Sequence, residues 1–133
     1  MTEPSLSEAL ALVRDGEEHT VSVAGTYSNA AGAQSPDKGA PFGGLMAALA
    51  GRAMREGLAL EVPLRSLTVQ FLAAARFDKP VAFTPRLSRG GRNVAYTAVE
   101  ARQGERAILQ AMATWGREAG PPDRASPAAA GTR

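Results

Sequence analysis

Residues 42–54 read Phe42-Gly43-Gly44-Leu45-Met46-Ala47-Ala48-Leu49-Ala50-Gly51-Arg52-Ala53-Met54. The run opens on two glycines, its body is apolar on nearly every side, and charge returns only at Arg52, Arg55 and Glu56. A helix that is apolar around most of its circumference is stable only when other elements cover it. This one is therefore expected inside the protein. Gly44, Ala47, Ala48 and Gly51 recur at helical spacing and leave room for backbone to pass close by, while Gly57 supplies a C-terminal stop. A sheet wrapped around the helix would use such a surface.

Working outward, the pattern after Pro63 changes from helical to alternating. Residues 64–74, 81–87, 93–101 and 107–115 read as strands, separated by Asp78-Lys79-Pro80, Arg89-Gly90-Gly91-Arg92 and Gln103-Gly104-Glu105. Turns this short predict an antiparallel meander. Pro85 cannot donate to a ladder, so it marks a bulge or an edge position. Upstream, Ser5 caps a helix that reaches Val13, with Glu8 three residues on as in a capping box and Leu6, Ala9, Leu10 and Val13 on one face. Residues 19–24 alternate into a strand through Val21 and Val23, and residues 25–41 form a long loop of the kind that carries function. The expected class is α+β, with helices on one face of an antiparallel sheet.

The 133 residues suit one domain, placed at 1–116. From Arg117 the chain turns to Gly, Pro, Ala and Ser, so residues 117–133 are expected to form a disordered tail. No apolar run approaches a membrane span, and Met1 to Leu10 is polar and acidic rather than a signal peptide, so a cytoplasmic location is expected. With no cysteine and one histidine, His19, neither a disulfide, a thiolate nucleophile nor a zinc site is expected. His19 itself reads as an exposed strand-start residue. A net charge of +2, from 15 basic and 13 acidic residues, argues against wrapping nucleic acid.

Four pieces stand in a telling order: Phe42-Gly43-Gly44 at the helix start, Arg65 to Leu72 in the next strand, Arg89-Gly90-Gly91-Arg92-Asn93 at a hairpin, and Ala101-Arg102-Gln103-Gly104 before the last strand. Together they resemble the N-terminal hotdog domain of the acyl-CoA thioesterase II family over residues 5–116. The resemblance implies a hotdog fold, a curved antiparallel sheet wrapped around a long central helix. It also implies that two such domains pair to form a site, so a homodimer or higher oligomer is expected. The implied ligand is an acyl-CoA thioester as substrate, with no cofactor.

The candidate site follows from these pieces. Backbone N–H groups at Gly44, at the positive end of the helix, can polarise a thioester carbonyl and stabilise its oxyanion. Gly43 permits close approach and Phe42 supplies an apolar wall. The plainer reading is that both glycines serve only a tight turn. Arg86, Arg89 and Arg92 around the Gly90-Gly91 turn, with Asn93 beside them, can meet the phosphates of coenzyme A, although most charged hairpins are simply solvated. Thr68 and Gln70 share one strand face with Ser66 and can orient a water or the thioester, unless that face is the outer side of the sheet or a dimer seam. Gln110 and Thr114 raise the same choice.

A general base is hard to find. The resemblance puts a carboxylate about two turns into the central helix in single-domain relatives, and Gly51 occupies that position here. Glu56 lies at the far end of the helix and Asp37 in the preceding loop. In two-domain members the acidic, hydroxyl and amide catalytic side chains belong to the second domain. Two functions are thus in play: an acyl-CoA thioesterase using water as nucleophile, and a non-catalytic acyl-thioester-binding subunit that lacks its own base. A dehydratase and a nucleic-acid binder are weaker alternatives, the first for want of a catalytic histidine with an acid beside it and the second for want of aromatics and net charge.

Overall fold

A computed structural model of the chain describes residues 5–24, 27–28, 39–77 and 79–117. In chain order the elements are α1 (Leu6–Ala9), β1 (Val13–Asp15), β2 (Glu18–Val21), α2 (Gly43–Gly57), β3 (Leu64–Phe71), β4 (Val81–Gly90), β5 (Val94–Gln103) and β6 (Arg106–Gly116). The six strands form one antiparallel sheet in the order β1-β2-β4-β5-β6-β3. The sheet is curved, and α2 lies against one face, giving the α+β hotdog arrangement.

The helix is buried as its composition dictates. Leu49, Ala50, Ala53 and Met54 are fully covered and meet Val81 and Phe83 of β4, Val99 and Ala101 of β5, and Leu109 and Trp115 of β6 in one core. Along β5 the inward residues 95, 97, 99, 101 and 103 are all buried, the two-residue period of a strand half covered by a helix. Inside that core the Trp115 indole N–H donates to Thr97 Oγ1 at 2.8 Å, and the Thr97 hydroxyl has the Met54 sulfur at 3.1 Å as its own acceptor. The hydrogen bonds needed by the largest core ring and a buried hydroxyl are thus satisfied locally.

Several expectations are corrected. The four strands are not a simple meander, because β3 pairs with β6 and not with β4. The connection through residues 72–80 is long enough to carry the chain across the sheet, and buried Gln103 holds it in place. Its Oε1 accepts from Arg76 N–H at 2.8 Å, and its Nε2 donates to the carbonyls of Arg76 and Lys79 at 2.8 and 2.9 Å. The first helix ends at Ala9, with Ser5 as its cap, and Val13 already belongs to β1. The Asp15-Gly16 pair, with Gly16 at φ 66°, turns β1 into β2.

Gly57 is the last helical residue rather than a left-handed stop, a conformation taken by Ala59 at φ 52°. Its lack of a side chain serves packing, since a Cβ there would stand 2.5 Å from Pro85 Cγ and 3.0 Å from His19 Cε1. His19 is accordingly buried, at 4% exposure, and not at the surface. Pro85 pairs with Val99 where β4 has outrun β2, which reaches only residues 81–83, and a bulge follows between Leu87 and Arg89. Among the described residues the edge position is the alternative realised at Pro85, since its own register with β5 is regular and the bulge falls two residues beyond it. The expected tail from 118 onward and most of the long loop lie outside the described residues.

Candidate functional site

The start of α2 is built around missing side chains. Phe42 takes the N-cap position without offering a side-chain hydrogen bond. Its N–H is held by Tyr27 O at 2.7 Å, and the first intrahelical bond runs from Met46 N–H to Phe42 O at 3.1 Å. The N–H groups of Gly43, Gly44 and Leu45 precede that bond and point out of the helix at its positive end. A pocket of about 340 Å³ opens beside Gly43, walled by Pro41, Met46, Phe71, Leu72 and Ile108 with four alanines completing the lining. Ile108 O draws the chain inward after β3 by accepting from both Leu72 and Ala73, at 2.8 and 3.1 Å. The Phe42 ring lies over Gly44, where a Cβ would meet its Cε2 at 2.5 Å.

An apolar pocket with backbone donors at one end can hold an acyl thioester and polarise its carbonyl. Among the described residues, no carboxylate, histidine or hydroxyl lines it. This lining offers apolar surface and backbone donors and, among those residues, no side chain suited to proton transfer.

The structure brings Phe42, Gly43 and Gly44 together and sets the other candidates elsewhere. Thr68 and Gln70 lie on the face of the sheet away from α2, because strand residues alternate and Leu67 and Val69 take the core side. There they line a separate groove of about 490 Å³ with Thr84, Arg86, Glu100 and Met112. Gln110 Nε2 donates to Gln70 Oε1 across the paired strands. Within one copy Thr68 and Gln70 do not reach the carbonyl that Gly44 would hold.

Arg89, Arg92 and Asn93 occupy the β4–β5 hairpin at the opposite end of the sheet. The start of α2 sits by Phe71 and Ile108, near the far end of β5, whose ten residues span about 30 Å. Asn93 O accepts from Arg117 N–H at 3.4 Å, so its backbone helps to close that end. Glu56 is tied to Arg52 at 2.6 Å on the exposed side of α2, and Asp37 lies outside the described residues. Gly51 is buried yet has nothing within 4 Å of where its Cβ would be. It borders a groove of about 290 Å³ between α2 and β3, with Ala47, Ala48, Leu64, Leu67 and Trp115.

Phe71 and Leu72 were not singled out from the sequence as pocket walls. The signal was present, because after Phe71 the alternation stops in Leu72-Ala73-Ala74-Ala75, an apolar run that no strand period requires.

A sequence profile of the acyl-CoA thioesterase N-terminal domain matches residues 32–116. Among solved structures, a hot-dog-fold protein of unknown function from Alicyclobacillus acidocaldarius is 22% identical, with a TM-score of 0.76 over 92% of this chain and 43% of that one. The acyl-CoA thioesterase II TesB2 of Mycobacterium marinum is 18% identical, with a TM-score of 0.68 over 90% of this chain and 40% of its own. Mouse thioesterase superfamily member 2 is 18% identical at a TM-score of 0.65, with 81% of each chain covered. At such identities the likeness establishes the fold. The chain spans about two-fifths of the length of the first two relatives. No curated protein matches it at a significant level.

Proposed function

Because the chain belongs to the acyl-CoA thioesterase N-terminal domain family, we propose that it binds an acyl-CoA thioester at the start of α2 and takes part in its hydrolysis to the free acid and coenzyme A. The observation that carries the reading is the apolar pocket at Gly43, the first residue of α2, where the helix's leading N–H groups lie ahead of its first intrahelical bond. In this reading the acyl portion lies against Phe42, Phe71 and Leu72, and the thioester oxygen accepts from the backbone at Gly44. Water attacks the carbonyl carbon, the oxyanion is stabilised by those donors, and the C–S bond breaks to release coenzyme A as the thiol. Arg89, Arg92 and Asn93, which lie at the opposite end of the sheet within one chain, are the proposed contacts for the nucleotide end only when they come from a second copy. We assign a homodimer or higher oligomer and a cytoplasmic location.

One observation favours a second reading, an acyl-thioester-binding subunit without hydrolytic activity of its own. Among the described residues the pocket lining holds no group able to deprotonate water, and Gly51, where the resemblance puts a carboxylate, borders the separate groove between α2 and β3. Hydrolysis of a panel of acyl-CoA esters by the purified protein, followed by release of free thiol, separates the two. Turnover supports the esterase reading, binding without turnover supports the subunit, and absence of both removes acyl-CoA as the ligand.

A further inference from the structure

The β4–β5 hairpin carries charge of one sign. Residues 81–99 hold Arg86, Arg89 and Arg92 and no carboxylate. Arg65, in the bulge that opens β3, reaches the same end of the sheet, because Leu64 pairs with Trp115 and Trp115 with Ala95. All four arginines are exposed, and none has an ion pair or a side-chain hydrogen bond among the described residues. Glu100, the first carboxylate along β5, stands 3.6 Å from Arg102 instead. Glu61, on the loop before β3, makes no ion pair with them.

Apolar side chains crowd the same hairpin. Leu87 is 51%, Tyr96 49% and Val94 37% exposed. Val94 and Tyr96 alternate with the buried Ala95 and Thr97, and so stand on the face away from α2. Leu87 pairs with Thr97 and stands on the other face, beyond the cover of the helix, whose last residue, Gly57, lies against Pro85. Its side chain folds towards the tip, where a Cβ on Gly90 would stand 3.0 Å from Leu87 Cδ2. The pairing of β4 with β2 has ended at Phe83, so no strand covers this part of β4 on that side. The hairpin end thus presents apolar groups on both faces with unpaired arginines around them.

Anionic partners differ in what they offer to such a surface. The phosphates of a nucleic acid answer the arginines and leave Leu87 and Val94 without apolar contact. A protein needs an acidic rim around a cleft that accepts both faces of the hairpin at once. A bilayer of anionic lipid supplies phosphate at one depth and hydrocarbon just below it, and the boundary between them is where a tyrosine ring is most at home. Charge and apolar surface are matched together only there.

We propose that the β4–β5 hairpin end docks on an anionic lipid bilayer, with Leu87 and Val94 below the headgroups, Tyr96 at their level, and Arg65, Arg89 and Arg92 on lipid phosphates. The association is peripheral, as no helix among the described residues is long and apolar enough to cross a membrane. It does not rest on the thioester reading, because Leu87, Val94 and Tyr96 take no part in the contacts assigned there. The pocket at Gly43 lies the length of β5 away, about 30 Å, and faces away from the lipid.

The test is flotation of the full 133-residue chain with vesicles of neutral phosphatidylcholine and with vesicles in which about a third of the lipid is anionic phosphatidylglycerol. Wild type should partition onto the anionic vesicles roughly a hundredfold more strongly than onto the neutral ones, since each of three arginines contributes about fivefold. Added salt should weaken the association. Leu87→Ser combined with Val94→Ser leaves every charge in place and alters only exposed side chains, and should lower partition onto the anionic vesicles at least about tenfold. Leu87→Trp reads insertion directly, with Val94→Trp in its place if that chain does not fold. On anionic vesicles the new indole should shift its emission to the blue and be quenched by lipids brominated along their acyl chains, while Trp115 of the wild type, buried in the core, is not. Failure to partition, equal partition onto both kinds of vesicle, undiminished partition of the serine variant, or an introduced indole that escapes quenching each overturns the proposal. So does retention of a short DNA duplex in place of vesicles, which would assign the arginines to a nucleic-acid backbone.

Discussion

The Phe71 ring rests against the backbone of Gly43, its Cζ 3.5 Å from the point at which a side chain on Gly43 would begin. That contact joins the end of β3 to the start of α2 and forms the mouth of the apolar pocket. A methyl group fits there at ordinary van der Waals distance but occupies space that a ligand would enter. Gly43→Ala should therefore fold normally, with a stability change of no more than about 1 kcal/mol. Binding of a thioether analogue of acyl-CoA should weaken by roughly tenfold, about 1.4 kcal/mol. Thermal melting and a binding titration on the same sample check both parts, and unchanged affinity would move the ligand away from this pocket.

The buried network beneath α2 yields a prediction about stability. Trp115 Nε1 has Thr97 Oγ1 as its acceptor at 2.8 Å. Thr97→Val preserves the shape and leaves the indole N–H buried without a partner, which costs about 1–3 kcal/mol. Urea unfolding followed by the fluorescence of Trp115, the protein's single tryptophan, measures the loss directly.

At the other end of the helix two effects oppose each other at Gly57. Alanine is better than glycine in a helix by about 1 kcal/mol. Here its Cβ would stand 2.5 Å from Pro85 Cγ and 3.0 Å from His19 Cε1, both ring atoms with little freedom to yield. Overpacking of this kind costs about 1–3 kcal/mol, so the clash should prevail and Gly57→Ala should lower the melting temperature. A rise would show that Pro85 and His19 relax at no cost.

These cases show which features were legible in the sequence. The central helix was readable from Leu45 to Met54 because its apolar surface exceeded anything a surface helix needs. The strands were readable because Val81, Phe83, Val99, Ala101, Leu109 and Ala111 keep a two-residue period. The place of β3 in the sheet was not, since a local pattern specifies that a strand exists and leaves its neighbour to long-range pairing. The crossover is secured by Gln103, whose three backbone contacts lie 24 to 27 residues away. In the candidate site, Gly43 and Gly44 were found because glycine pairs at helix starts are conspicuous. The separation of Thr68 and Gln70 from them turned on which strand face met the core, and that is a tertiary fact. His19 misled because its cover comes from Gly57 and Pro85, distant in sequence.

The last prediction concerns Gly51, where the question of a base becomes experimental. Among the described residues, the pocket at Gly43 contains no proton acceptor in its side chains. If no other copy supplies one, the purified chain should bind acyl-CoA but hydrolyse it slowly, since positioned acid–base groups contribute about 100- to 10,000-fold. The space beside Gly51 is open, with nothing within 4 Å of a Cβ, so a side chain enters without displacing core atoms. The backbone cost is small as well, because glycine is already the poorer helix former. Gly51→Asp should therefore fold and raise the rate of thiol release at least about tenfold if the introduced carboxylate reaches the attacking water. Gly51→Asn, of the same shape and without a base, should leave the rate at the wild-type level. Equal rates for the two variants would show that position 51 does not face the reacting water. A fast wild-type enzyme would mean that the proton acceptor lies outside the described lining of the α2 pocket, and inactivation by Asp37→Asn, by Glu56→Gln, or by replacement of carboxylates on a second copy, would then identify it.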